Sequence, residues 1–191
     1  KENYPYDFEL KIKHVLEKNQ VSVCWEVVNH SDETMYFTIG GHPAFNVPAN
    51  GNNDKKEDYL LTFNGEKSLT YLLLDPASGT ALPDQTKTLE LTDGTCHIDA
   101  HMFDNDALIF DNQIEKAGIA FPDGTPYLEL TCHRFPNFGI WSVPGSSFVC
   151  LEPWMGRCDD CGFKNDLSEK SNINALNTDE IFNASYEIKI Y

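Results

Sequence analysis

Positive charge is scarce in this chain. Lysine and arginine number 14 against 30 aspartates and glutamates, for a formal charge of −16, and arginine stands only at positions 134 and 157. A surface this acidic is repelled by phosphate backbones and anionic lipid, so neither nucleic acid nor membrane is expected as a partner. No apolar run is long enough to cross a bilayer as a helix. No basic stretch followed by an apolar segment opens the sequence, so no secretory signal is expected. Helical periodicity is also nearly missing. Only 97–104, where Ile98, Met102 and Phe103 would share a face, reads as a short helix. Motifs for metal, phosphate and nucleophilic chemistry are incomplete. Cys158-Asp-Asp-Cys161 has no second pair to finish a zinc site, and His97 and His101 lack the glutamate after the first histidine that a zincin requires. Gly40-Gly41 lacks phosphate-loop or dinucleotide spacing, and no serine sits in a nucleophile elbow. No metal and no cofactor are expected.

With 191 residues, 41% of them hydrophobic, the chain can bury one sizeable core, and one domain over 1–191 is expected. A core of that size needs no covalent staples. Three of the six cysteines, Cys24, Cys132 and Cys150, lie in strand-like runs where a thiol packs as a small apolar group. Free thiols in a reducing, cytoplasmic compartment are expected. The sequons at Asn29 and Asn183 then read as chance matches.

Alternation with period two dominates the rest. Phe8, Leu10 and Ile12 alternate with charged neighbours, and Val21, Val23, Trp25 and Val27 alternate with Ser22, Cys24 and Glu26. Both are half-buried strands, joined through a turn at 18–20. A third strand is predicted over 35–39. Others are predicted at 59–63, 68–74, 87–91, 107–110, 117–121, 127–132, 137–142, 147–152 and 185–191, divided by turn pairs such as Asn64-Gly65, Asp93-Gly94 and Pro144-Gly145. Residues 46–58 and 156–180 read as loops. Many short strands with almost no helix give an all-β fold, an antiparallel sandwich or barrel.

Three segments bear chemistry. In Ile39-Gly-Gly-His42-Pro a strand runs into two glycines, which admit unusual backbone angles and close approach, and then into a histidine followed by a proline that cannot continue a central strand. His42 is thereby placed at a strand end, where a side chain can either be aimed into a cleft or serve as a structural cap on the sandwich edge. In Phe148-Val-Cys-Leu-Glu152-Pro-Trp154 an apolar strand ends in a carboxylate. A buried carboxylate must be paired, hydrogen-bonded or protonated, and burial moves its pKa toward neutrality, where it suits a general base. Asp106 opens the strand that ends FDNDALIF, within reach of a ligand or closing an Asx turn.

Together YFTIGGHPAFNVP (36–48), FDNDALIF (103–110) and FGIWSVPGSSFVCLEPWMGRCD (138–159) resemble the aldose 1-epimerase (galactose mutarotase) family, and within it the branch named after LacX. The last 21 residues resemble that branch's terminal strand. The resemblance implies a large antiparallel β-sandwich, the galactose mutarotase-like supersandwich. It also implies interconversion of the α and β anomers of a free aldose. It gives His42 the general-acid position, Glu152 the general-base position and Asp106 a sugar-hydroxyl contact, with Trp141, Trp154 and Asn46 lining the sugar site. His42 and Glu152 are expected on opposite sides of one small hole lined by indoles. Asp159 matches a family aspartate to which no role is given. A non-catalytic sugar-binding or regulatory module and a hexose-6-phosphate 1-epimerase are the alternatives; the second would want basic residues that are scarce here.

Members of that family are longer at the N-terminus, and this chain starts with YPYDFELKIKH after Lys1-Glu-Asn. The resemblance therefore implies that early strands are lacking, along with basic residues that line the sugar site, roles not to be passed to His14 or His30. One sheet is then expected to be open and to expose strand edges. Low activity is expected unless a homodimer partner or the lacking N-terminal segment fills the gap.

Overall fold

The computed structural model describes residues 4–49 and 54–191. In chain order its strands are β1 (Phe8–Glu17), β2 (Gln20–Asn29), β3 (Met35–Phe37), β4 (Ile39–Gly40), β5 (Ala44–Asn46), β6 (Leu60–Phe63), β7 (Ser68–Asp75), β8 (Thr80–Glu90), β9 (Thr95–His97), β10 (Leu108–Asp111), β11 (Lys116–Ala120), β12 (Pro126–Thr131), β13 (Asn137–Trp141), β14 (Phe148–Met155), β15 (Asn174–Leu176) and β16 (Ile181–Ile190). Among the described residues there is no α-helix, so none is long and apolar enough to cross a membrane.

Two seven-stranded sheets and a two-stranded ribbon result. The first sheet runs β1-β2-β16-β12-β11-β6-β9; the second runs β4-β14-β13-β10-β7-β8, with β5 also on β14; the ribbon is β15-β3. The named strands pair antiparallel throughout. Alternation fixes which face of each strand is apolar. Val23 and Trp25, Leu61 and Phe63, and Leu128 and Leu130 turn inward from the first sheet, and Leu108 and Phe110, Phe138 and Ile140, and Val149 and Leu151 from the second. All belong to one buried cluster, so the sheets pack face to face as an antiparallel sandwich. Each such side chain contributes about 1.5–3 kcal/mol by leaving water.

Strand β1 departs from this pattern. Leu10 and Ile12 stand opposite Val27 and Trp25 and so lie on the core side of the first sheet, yet they stay 42% and 53% exposed. Every residue of β1 is exposed, and among the described residues no strand pairs with its outer edge.

The strand-rich reading holds, with four revisions. First, 97–104 is not helical. After His97 it makes successive tight turns, with the amides of Met102, Asp104 and Asp106 donating to carbonyls three residues back. The Asp99 carboxylate takes the His101 amide at 2.8 Å, the local competition that disfavours helix at Asp. Second, β8 begins at Thr80, well ahead of the predicted 87–91. Pro83 reads as a breaker, but β8 is an edge strand and Pro83 falls in a bulge, where the register jumps from Leu72↔Thr86 to Leu73↔Leu82. Third, the predicted strand 35–39 divides at Thr38, its first part pairing with β15 and its second with β14. Fourth, the two predicted loops hold structure: a 3-10 turn at Lys56–Asp58 in 46–58, whose first residue Asn46 ends β5, and a 3-10 turn at Leu167–Glu169 followed by β15 in 156–180. Residues 50–53 of the first loop lie outside the described residues. All six cysteines are free thiols. The sequon residue Asn29 is fully buried, its amide donating to the carbonyls of Glu33 and Leu176 at 2.8 Å each.

Candidate functional site

The site grows from the face of β14 turned away from the core. Val149 and Leu151 point into the sandwich, so Cys150, Glu152 and Trp154 point out the other way. Register carries the same face across the sheet: Glu152 stands opposite Gly139 of β13, Gly139 opposite Ile109 of β10, and Ile109 opposite Leu72 of β7. One row thus runs from a carboxylate over a bare glycine to two aliphatic side chains.

That bare position has a purpose. A Cβ on Gly139 would come within 2.5 Å of the Trp154 ring carbons Cη2 and Cζ2, and one on Gly40 within 2.5 Å of its Cδ1. The Trp154 indole therefore lies on the sheet, spread over both glycines. Gly41, next to Gly40, would bring a Cβ to 2.8 Å from the Tyr186 hydroxyl. Neither Gly40 nor Gly41 has a positive φ, so this pair is used for close approach and not for unusual backbone angles.

His42 is presented by an interruption in pairing. Both β4 and β5 pair with β14, and residues 41–43 lie between them. The break is bracketed by the Gly41 amide donating to the Pro153 carbonyl at 2.9 Å and the Leu151 amide donating to the Pro43 carbonyl at 3.3 Å. His42 is thereby held beside Glu152, with Nδ1 at 3.5 Å from Oε1. The two groups differ sharply in environment: the imidazole is 61% exposed and the carboxylate 4%. They sit side by side at contact distance, whereas the sequence reading expects them on opposite sides of a hole.

An open cleft of about 350 Å³ spreads from this pair, lined by His42, Leu74, Gly79, Asp106, Ala107, Ile109, Trp141, Glu152, Trp154 and Cys158. Trp141 meets the His42 ring edge-on at 5.9 Å between centroids. Asp106 has a left-handed backbone (φ 74°), tolerable for aspartate, and its Oδ1 accepts the Ala107 amide at 2.8 Å. The carboxylate takes the amide of the next residue and not one two residues on, so the expected Asx turn is not formed; the Asp106 amide instead closes a backbone turn on the Phe103 carbonyl at 3.1 Å, and the residue lines the cleft. Burial pushes the Glu152 carboxyl up to about 7, with the Asp106 charge adding to the rise and a hydrogen bond from Trp154 opposing it. Burial likewise pushes the Cys150 thiol up to about 12, aided by the Glu152 charge. Among the described residues, the potential ligand atoms of His42, Cys150 and Glu152 form a group all within 4.8 Å of one another.

Of the sequence-predicted residues, His42, Glu152, Asp106, Trp141 and Trp154 therefore converge on one cleft. Asn46 does not line it. It stands on β5 opposite Phe148, on the cleft-side face but farther along the strand. Asp159 turns away to Lys170, 2.7 Å from its Nζ. Arg157, 7% exposed, ties the segment after β14 to β10. Its Nε lies 3.2 Å from both carboxylate oxygens of Asp111 and its Nη1 2.7 Å from Asp160. Burial opposes the guanidinium charge, and the two carboxylates more than offset it, so the Arg157 pKa is raised. This holds Cys158 in the cleft wall. Sequence reasoning missed Leu74, Gly79, Ala107, Ile109 and Cys158 as lining. Leu74 and Ile109 join the lining through cross-strand register, and Gly79, Ala107 and Cys158 lie between strands in segments whose approach to the sheet leaves no local signal.

Comparison with known proteins agrees with the fold and gives the family. A family model described as Aldose 1-epimerase matches residues 1–138, a span that contains His42 and Asp106 and stops short of Glu152. The plasmid and chromosomal LacX proteins of Lactococcus lactis subsp. lactis are each 30% identical over 193 residues, covering 99% of this chain and 64% of the relative. Among solved structures, a galactose mutarotase related enzyme from Lactobacillus acidophilus superposes with a TM-score of 0.88 at 28% identity, covering 98% of this chain and 63% of that one. A galactose mutarotase-like protein from Lactobacillus casei ATCC 334 has the same fold, with a TM-score of 0.82 at 22% identity over 98% of this chain and 65% of that one. The chain thus spans just under two thirds of the length of these relatives.

Proposed function

Because the chain belongs to the aldose 1-epimerase family, we propose that its cleft interconverts the α and β anomers of a free aldohexose by acid–base ring opening and closure. The observation that carries this reading is one contact: an exposed imidazole 3.5 Å from a buried carboxylate, at a cleft lined by two indoles.

In the proposed reaction, Glu152 takes the proton of the anomeric hydroxyl while His42, as imidazolium, gives one to the ring oxygen. The C1–O5 bond breaks and an open-chain aldehyde forms. Rotation about C1–C2 presents the other carbonyl face. The C5 hydroxyl then attacks C1, returning its proton to His42 as Glu152 returns the other to the carbonyl oxygen. No proton or electron is gained or lost over the cycle. A carboxyl with a pKa of about 7 is well matched to a proton that must come and go near neutral pH. Trp154 supplies a flat apolar floor for a sugar face, and Asp106 an acceptor for hydroxyls.

Charge supports a neutral sugar over a sugar phosphate. The cleft lining holds two carboxylates, Asp106 and Glu152, and among the described lining residues no lysine or arginine. The nearby guanidinium of Arg157 is committed to Asp111 and Asp160. A cytoplasmic setting is proposed on the free thiols.

Polarimetry of freshly dissolved α-glucose and α-galactose tests the reading. Glu152→Gln and His42→Asn should each lose most of the acceleration over the spontaneous rate while keeping the β-rich circular dichroism of the parent. Sugar binding without acceleration in the parent chain would favour a non-catalytic sugar-binding module. Wild-type rates in either variant would refute the acid–base pair.

A further inference from the structure

Cys150 has no part in the chemistry just described, yet it stands two residues before Glu152 on the same face of β14. Its sulfur, a nitrogen of His42 and an oxygen of Glu152 all lie within 4.8 Å of one another. His42 Nδ1 and Glu152 Oε1 are already 3.5 Å apart. With metal–nitrogen and metal–oxygen bonds of about 2.0–2.2 Å and a metal–sulfur bond of about 2.3 Å, ligand atoms around one tetrahedral ion lie about 3.3–3.6 Å apart. The strand holds the Cys150 and Glu152 backbones on one face, and the remaining closure falls to side-chain rotation, for which the mostly exposed His42 has the most room.

The donor set selects the ion. One imidazole, one thiolate and one carboxylate suit zinc-class cations; magnesium and calcium want oxygen alone. We propose that His42, Cys150 and Glu152 form a three-donor site for a thiophilic divalent cation of the zinc class, and that the bound cation stops sugar turnover by occupying both proton-transfer groups. Binding releases the thiol proton to solvent and forms the metal–sulfur bond, with no change of oxidation state. The binding half of the proposal stands on geometry alone; the inhibitory half rests on the function proposed above.

The probe is Co²⁺, titrated anaerobically into the full chain, with the sulfur-to-cobalt charge-transfer absorption as readout. One equivalent should develop the band and Zn²⁺ should bleach it. Cys150→Ser should abolish the band, His42→Ala should weaken Co²⁺ binding by about tenfold or more, and Cys158→Ser and Cys161→Ser should leave it in place. Circular dichroism checks that each variant folds. Absence of the band in the parent, its persistence in Cys150→Ser, or its loss in Cys161→Ser overturns the site. Stoichiometric Zn²⁺ should arrest mutarotation and a chelator restore it. A chain that binds cobalt through Cys150 but never mutarotates upholds the site and refutes the proposed function. A chain that mutarotates undisturbed with zinc bound refutes the inhibitory half.

Discussion

Replacing Glu152 with glutamine should make the protein more stable above neutral pH. The carboxyl is 4% exposed, and burial lifts its pKa from 4.5 to about 7. A pKa raised on folding means that the folded state disfavours the charged form. Below about pH 4.5 the group is neutral in both states and imposes no penalty. The penalty grows as pH rises between the two values and is complete above about 7. At about 1.4 kcal/mol per pKa unit, the charged carboxylate costs the fold about 3 kcal/mol at pH 8. Glutamine has the shape of the neutral acid and keeps an oxygen for the Trp154 hydrogen bond, so it escapes that cost. Urea unfolding followed by tryptophan fluorescence should therefore show a gain of about 3 kcal/mol for Glu152→Gln at pH 8, shrinking to about 1 kcal/mol at pH 5. In a heating scan at pH 8 this is about 6–12 °C for a chain of this size. A variant no more stable than the parent at pH 8, or equally stabilised at pH 5 and pH 8, would refute the claim that an unpaid desolvation cost is stored at this carboxylate.

The same group sets the pH dependence of the proposed turnover. The base must be ionised, so kcat/KM for a free aldose, measured by polarimetry against the spontaneous rate, should fall about tenfold per pH unit below about pH 7 and not fall on this limb above it; a flat profile down to pH 5 would remove Glu152 as the base. The floor of the cleft gives a second handle through Gly139→Ala, whose new Cβ would lie 2.5 Å from the Trp154 ring. Carbon contacts prefer about 3.5–4.0 Å, so the indole must move by about 1 Å. The expected outcome is a stability loss of about 1–3 kcal/mol and a rate loss on the order of 10²-fold, with a shift in tryptophan emission; a parental rate and spectrum would show that the indole position does not matter.

Much of this was legible in the residues, for identifiable reasons. Alternation specifies a strand's two faces without reference to any partner, so β2 and the apolar run of β14 could be read directly, and so could the emergence of Glu152 at the end of that run; β1 was legible as a strand but not as an exposed one, because half-burial needs a facing layer that alternation does not reveal. The joining of His42 to Glu152 was carried by resemblance, because the break between β4 and β5 that holds them together is a matter of pairing. Register decided what remained hidden. Leu74 and Ile109 line the cleft because the row Glu152–Gly139–Ile109–Leu72 fixes which face of the second sheet they share, and nothing in their own neighbourhoods says so. Pro83 reads as a stop anywhere except at a bulged edge. The helical spacing of Ile98 and Met102 lost to a side chain, Asp99, that offered the backbone a nearer acceptor.

The bare outer margin of β1 has a colloidal consequence. Among the described residues no strand pairs with that margin, so its exposed apolar side chains and edge main chain offer a template to any passing copy of the chain, and the charged side chains along the strand, Glu9, Lys11, Lys13 and Glu17, discourage it. Long-range protection comes from the surplus of 16 negative charges, which keeps copies apart only where salt is dilute and the pH is well above the isoelectric point near 4.5. Concentrated stocks should cloud as ionic strength rises or the pH drifts toward that point, and remain clear in dilute buffer at mildly alkaline pH.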